Sequence, residues 1–127
     1  MGGNAGSQSS MVLVRSLTLR EYEFADRWKL LLHEMSVGAT LGLIYGCAMG
    51  LISHLLYGAE YGNYFAVVIG VGMFLSMTLA TALGVFVPLT LVRFGIDPAT
   101  ATGPLITTTT DLISVSSYFL LAFWLLT

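Results

Sequence analysis

The sequence predicts an all-α membrane protein with three transmembrane helices, and three observations carry that expectation. The chain is 56% hydrophobic and 9% charged, with a mean hydropathy of +0.84. A soluble domain carries roughly 25% charged residues. Three apolar stretches, 36–57, 64–93 and 98–126, are each long enough for a bilayer, which takes about 20 such residues. The charges are also segregated: eight of the twelve lie between Arg15 and Glu34, and only Glu60, Arg93, Asp97 and Asp111 follow. Open strands leave backbone groups unpaired in lipid, so the spans are read as helices.

The opening MGGNAGSQSS has no basic region followed by an apolar core, so it does not read as a signal peptide. In EYEFADRWKLLLHEM, residues 21–35, Phe24, Trp28, Leu31 and Met35 share one helical stripe, and Glu23, Asp26, Arg27, Lys29 and His33 lie off it. That pattern predicts an amphipathic helix at the membrane surface. A solvated linker helix fits equally well, with His33 and Glu34 simply facing water.

The span 36–57 carries Gly38, Gly42, Gly46 and Gly50, and the span 64–93 carries Ser76, Ala80 and Gly84. Small residues every fourth position let backbones approach closely in lipid, so both series are read as packing seams. His54 reads as a buried or interfacial polar residue rather than a ligand. Cys47 has no second cysteine, so an intramolecular disulfide is excluded, and it reads as a small packing residue. YGAEYGN at 57–63 is a short connection. Pro88 is expected to kink the second span. In GIDP, Asp97 is expected to cap the next helix, with Pro98 in its first turn.

Net charge is −2 with no basic run, which argues against nucleic acid as a partner. Arg15, Arg20, Arg27 and Lys29 precede the first span, and Arg93 ends the second. Three crossings can put all five on one side, which the positive-inside rule makes the cytoplasm. Residues 1–35 and the 94–98 loop then face the cytoplasm, and the C-terminus faces out.

Asp111 interrupts the third span. On one continuous helix from Pro98, Thr100, Gly103, Thr107, Asp111, Ser114 and Tyr118 share a polar sector, opposite Leu105, Leu112 and Phe119. Asp111 would lie about 20 Å along that helix, near mid-membrane. An aspartate there costs about 2.5–3.5 kcal/mol on insertion scales. No arginine or lysine lies at matching depth, which points to an external cation or a proton on the carboxyl. Pro104 frees a carbonyl near Thr100, a feature of ion sites in transporters. Carboxylate, carbonyl and water ligands suit magnesium. The competing reading is a protonated Asp111 bonded to a neighbouring threonine for packing alone. One mid-membrane aspartate, without an acidic or histidine partner, argues against an enzyme.

Two segments resemble a known family. GGNAGSQSSMVLVRSL at 2–17 and VPLTLVRFGIDPATATGPLITTTTD at 87–111 resemble the MgtE family of magnesium channels and its solute-carrier relatives, and the resemblance covers 1–127. It implies a five-helix membrane domain working as a homodimer, with a pore on the dimer axis. Residues 1–19 would be the latter part of the second helix, a partial pore helix. Residues 21–35 would be the cytoplasmic link, and 36–57, 64–93 and 98–126 the third, fourth and fifth helices.

The resemblance also implies roles. Asp111 falls on the pore aspartate, Thr107 on its backbone partner and Asn4 on the pore-facing asparagine. Gly103 stands where some members carry an asparagine, and Ser114 and Thr100 are the further pore-lining candidates. No cofactor is implied; Mg2+ is the transported ion, and the bilayer and a second copy (or a complementary membrane half) are the partners. The localisation implied is the inner membrane. The first helix and the cytoplasmic sensor domains of that family have no counterpart in these residues. A non-conducting fragment or assembly module is therefore the alternative.

Overall fold

The computed structural model describes residues 1–19, 26–101 and 103–127. They form three α-helices, α1 (Gly2–Thr18), α2 (Arg27–Arg93) and α3 (Pro104–Leu126), with a short 3-10 turn at Pro98–Ala101. No strand occurs among the described residues.

A straight helix of 67 residues would run for about 100 Å. α2 instead folds back at Gly62, where φ is 72° and ψ is −178°. Glycine reaches that φ without a Cβ penalty. The reversal brings glycines of one arm against the backbone of the other. A Cβ on Gly42, Gly46 or Gly50 would lie 2.9, 2.5 or 3.1 Å from the carbonyl oxygens of Phe74, Gly70 and Ala66, respectively. These pairs step by four in opposite directions, so arms 27–61 and 63–93 are antiparallel. The glycine seam is where they meet.

The second arm also receives α1 and α3. A Cβ on Gly84 would run into the carbonyl oxygen of Gly6, and one on Gly2 would come within 3.4 Å of Ala80, so α1 lies parallel to this arm. Tyr118 covers Gly72, and the Ser114 hydroxyl donates to the Ser76 carbonyl at 3.3 Å, so α3 runs antiparallel to it. A small core of Leu13, Leu30 and Val85, flanked by Leu17, Leu31 and Leu89, closes one end. The outside is apolar, with Leu55, Leu112 and Trp124 at 73%, 69% and 82% exposure. Contiguous apolar surface on this scale marks contact with lipid or another chain.

Several expectations change. Residues 26–35 do not form a separate surface helix, because nothing between Arg27 and Gly62 breaks the backbone. The rest of that stretch, with Phe24 and Glu23, and also Arg20, lies outside the described residues. Its buried face is Leu30 and Glu34, continuing into Gly38, while Trp28 is 68% exposed. Glu34, expected in water, is 7% exposed. The 57–63 stretch is helical apart from Gly62. α2 runs through Pro88 with helical angles, the non-helical backbone inside it lying at Gly62. Cys47, expected to pack, is exposed.

The third span is likewise not continuous from 98 to 126. Gly103 has φ 75° and ψ −135°, which ends the 3-10 turn and starts α3 afresh. Pro104 then occupies the first helical turn, where a missing N–H costs nothing. Asp97 caps the turn as expected: its Oδ1 accepts from the Ala99 N–H at 3.0 Å, and its carbonyl accepts from Thr100.

Candidate ion site

The helix pairings set residues at common levels. α1 runs with the second arm, Gly6 against Gly84, so Arg15 comes level with Arg93. The first arm runs against it, Gly38 meeting Thr81, so Arg27 and Lys29 reach the same end. At the other end the Tyr57, Tyr61 and Phe65 rings pack at centroid distances of 5.3–6.3 Å. Tyr64 and, on α3, Trp124 are 74% and 82% exposed there. From Tyr64 to Arg93 the second arm spans about 43 Å, at 1.5 Å per residue. A bilayer with its headgroups is about 40–45 Å thick.

Asp111 falls level with Leu79, since Ser114 meets Ser76 and Thr110 meets Gly6 beside Ala80. It is therefore about 22 Å from the aromatic level and about 21 Å from the basic one. No described arginine or lysine sits at that level. Its carboxylate lies at the edge between α3 and α1, and Oδ1 accepts from the Gly3 N–H at 2.7 Å. A Cβ on Gly3 would come within 2.5 Å of both carboxylate oxygens, so the approach needs bare backbone. A hydrogen bond to a charged group contributes roughly 1.5–3 kcal/mol. That is of the same order as the insertion cost of about 2.5–3.5 kcal/mol but does not exceed it. Asp111 remains exposed on its outer side, open to a further partner.

The other candidates divide. Asn4 follows Gly3 on the exposed side of α1, close to the Asp111 level. Thr107 lies one turn before Asp111 and is half-buried; its hydroxyl donates to the Gly103 carbonyl at 3.1 Å. The Thr107 carbonyl accepts from the Thr110 hydroxyl at 3.1 Å, which uses one side of that oxygen. Gly103 is the cap residue before α3, a turn nearer the basic end. Ser114 is 3% exposed and turned inward onto the second arm, away from the open face. Thr100 lies on the 3-10 turn, off α3 altogether, with its hydroxyl bonded to the Asp97 carbonyl at 2.7 Å. The polar sector therefore lines the seam between α3 and its neighbours, with Asp111 at its outer edge.

Among the described residues no three of His, Cys, Asp and Glu converge into a chelating group. An ion at Asp111 would have to draw on one carboxylate, carbonyls and water.

A protein-family model for MgtE, described as a divalent cation transporter, matches residues 1–121. The chain belongs to the MgtE family. Three relatives named magnesium transporter MgtE match it over nearly all its length. The Enterococcus faecalis protein is 37% identical over 121 residues, the Thermus thermophilus one 34% over 124, and the Bacillus subtilis one 30% over 119. These matches cover 94–95% of this chain but only 26% of each relative. The chain thus spans about a quarter of the MgtE relatives it matches.

Two features escaped the sequence reading of this MgtE chain. The Gly3 N–H on Asp111 joins residues 108 positions apart, beyond any local pattern. Burial of Glu34 was in principle visible. Leu30, Glu34, Gly38, Gly42 and Gly46 form one every-fourth series, and all five are buried.

Proposed function

We propose that this MgtE chain is the ion-handling part of a membrane domain that carries magnesium, or divalent cations more broadly, across the inner membrane. The arms 27–61 and 63–93 and helix α3 are its three crossings. The basic level faces the cytoplasm and the C-terminus faces out. A second copy meets the open edge of α1 and α3, so that two Asp111 carboxylates face each other. Magnesium gives up water reluctantly. The carboxylates therefore hold a largely hydrated ion through its waters, with Asn4 and the Thr107 carbonyl alongside.

The observation that carries this reading is Asp111 itself, midway between the two levels and without a described basic residue beside it. An intramembrane carboxylate that faces neither lysine nor arginine marks an ion or proton path. The activity is transport rather than catalysis.

The test is a magnesium titration of the chain in lipid nanodiscs, followed by backbone amide NMR, with Asp111→Asn in parallel. Shifts confined to Thr107 to Ser114 that vanish in Asp111→Asn support the reading. No shift at millimolar magnesium, in a chain shown to be dimeric, sinks it. It then favours the second reading, a non-conducting module that joins a fuller partner. The broad apolar exposure of α3, with Phe119 and Phe123 each at 66%, is what favours that second reading.

A further inference from the structure

Asp111 is not the only acidic side chain at membrane depth. Glu34 lies one turn before Gly38, which meets Thr81, so it comes level with Val85. That is about 12 Å inside the basic level. A hydrocarbon core of about 30 Å within the span of about 43 Å leaves roughly 6 Å for each headgroup layer. Glu34 is therefore below the headgroups, and at 7% exposure it faces the bundle interior.

α1 brings a second polar group to the same place. Ser10 is fully buried, and its hydroxyl has no hydrogen-bond partner. It lies one turn after Gly6, which meets Gly84, and so near the level of Pro88. Leu13 and Leu30 share the apolar core, and α1 and the first arm run antiparallel. One turn toward the mid-level from that core stand Ser10 on α1 and Glu34 on the arm. Helical side chains lean toward their own N-terminus. Ser10 therefore leans toward the mid-level and Glu34 toward the basic end, each toward the other. Among the described residues no hydrogen bond or ion pair reaches the Glu34 carboxylate. A buried polar group left without a partner costs too much for two of them to share a layer by accident.

We propose that Glu34 and Ser10 form a polar tie between the first arm of α2 and α1, joined directly or through one water, and that Glu34 is a positioning residue for the ion site. Ser10 is on the buried side of α1 and Asn4 on its exposed side. The tie therefore sets the rotation at which Asn4 and the Gly3 N–H meet Asp111. This role rests on the ion-site reading of Asp111; the tie itself does not.

The experiment is a double-mutant cycle on the full chain in lipid nanodiscs, using Ser10→Ala, Glu34→Met and both together, with Glu34→Gln as the conservative variant. Two quantities are read: the unfolding midpoint, and the MgCl2 concentration that half-saturates the amide shifts at Thr107 to Ser114. Interhelical polar contacts in membranes are worth about a threefold change in an equilibrium constant. Ser10→Ala and Glu34→Met should each raise the half-saturating MgCl2 about threefold, and the double variant no further. Glu34→Gln keeps an acceptor and should stay within about twofold of the parent.

Additive effects, no effect, or a Glu34→Gln loss as large as that of Glu34→Met each overturn the proposal. The last outcome would assign Glu34 a charge-dependent role instead. Should Glu34→Met fail to fold, Ser10→Ala and Glu34→Gln still decide. Should the parent chain show no magnesium-dependent shift, the ion-site reading fails. The unfolding cycle then still reports whether the tie exists.

Discussion

The glycine contacts predict a graded alanine series. At Gly84 the added Cβ would run into the Gly6 backbone carbonyl, with the Gly6 carbonyl carbon and Cα at 2.9 and 3.0 Å. Neither helix can turn backbone aside, so α1 must move off the second arm as a body. Overpacking of this kind costs about 1–3 kcal/mol. Gly46 meets the Gly70 oxygen at 2.5 Å, Gly42 the Phe74 oxygen at 2.9 Å and Gly50 the Ala66 oxygen at 3.1 Å. Against each stands the gain of replacing a mid-helix glycine by alanine, about 0.8–1.0 kcal/mol. The balance should be a net loss of about 1–2 kcal/mol at Gly84 and Gly46, a smaller loss at Gly42 and near neutrality at Gly50. Denaturant unfolding of the four single variants in one lipid system measures this, with circular dichroism as the signal. A neutral Gly84→Ala, or a Gly50→Ala as costly as Gly84→Ala, would refute the close-approach account of the seams.

Three further substitutions probe the breaks between elements. Gly62→Ala places a Cβ at φ 72° with nothing within 4 Å, so the cost is conformational strain alone, about 1–2 kcal/mol, visible in the same unfolding assay. Pro104→Ala should change stability by less than about 0.5 kcal/mol, because the first helical turn neither uses the missing N–H nor suffers from it; a loss above about 2 kcal/mol would mean the ring packs in a way the helix start does not require. Asp97→Ala removes the cap on Ala99 and should cost about 1 kcal/mol, whereas Asp97→Asn retains the acceptor and most of that stability; hydrogen exchange at Ala99 and Thr100 distinguishes the two.

Much of the architecture was legible in residue pattern. Glycines at 38, 42, 46 and 50, and Ser76, Ala80 and Gly84, marked both seams because only small side chains every fourth residue let helices touch backbone to backbone. The capping role of Asp97 was equally local. The errors came where a break or its absence depends on more than composition. YGAEYGN looks like a loop, yet one glycine angle accomplishes the whole reversal. DPATATGP looks like the start of a long helix, yet Gly103 interrupts it, so Thr100 and Gly103 leave the polar sector expected around Asp111. The mid-level position of Asp111 follows from Ser114 meeting Ser76 and Thr110 meeting Gly6, not from a helix counted out from Pro98.

Helical character and the lipid-facing surface were thus properties of the chain's composition, because a backbone in lipid must satisfy its own hydrogen bonds wherever 20 or so apolar residues run together. Asp111 could be singled out for the same reason, as a charge where such a run should have none. Which groups surround it could not, since the Gly3 N–H arrives from 108 residues away and Glu34 is buried by helices that meet only after the turn at Gly62. Those encounters depend on where missing Cβ atoms let distant backbones close in, and that is a property of the assembled bundle rather than of any one segment.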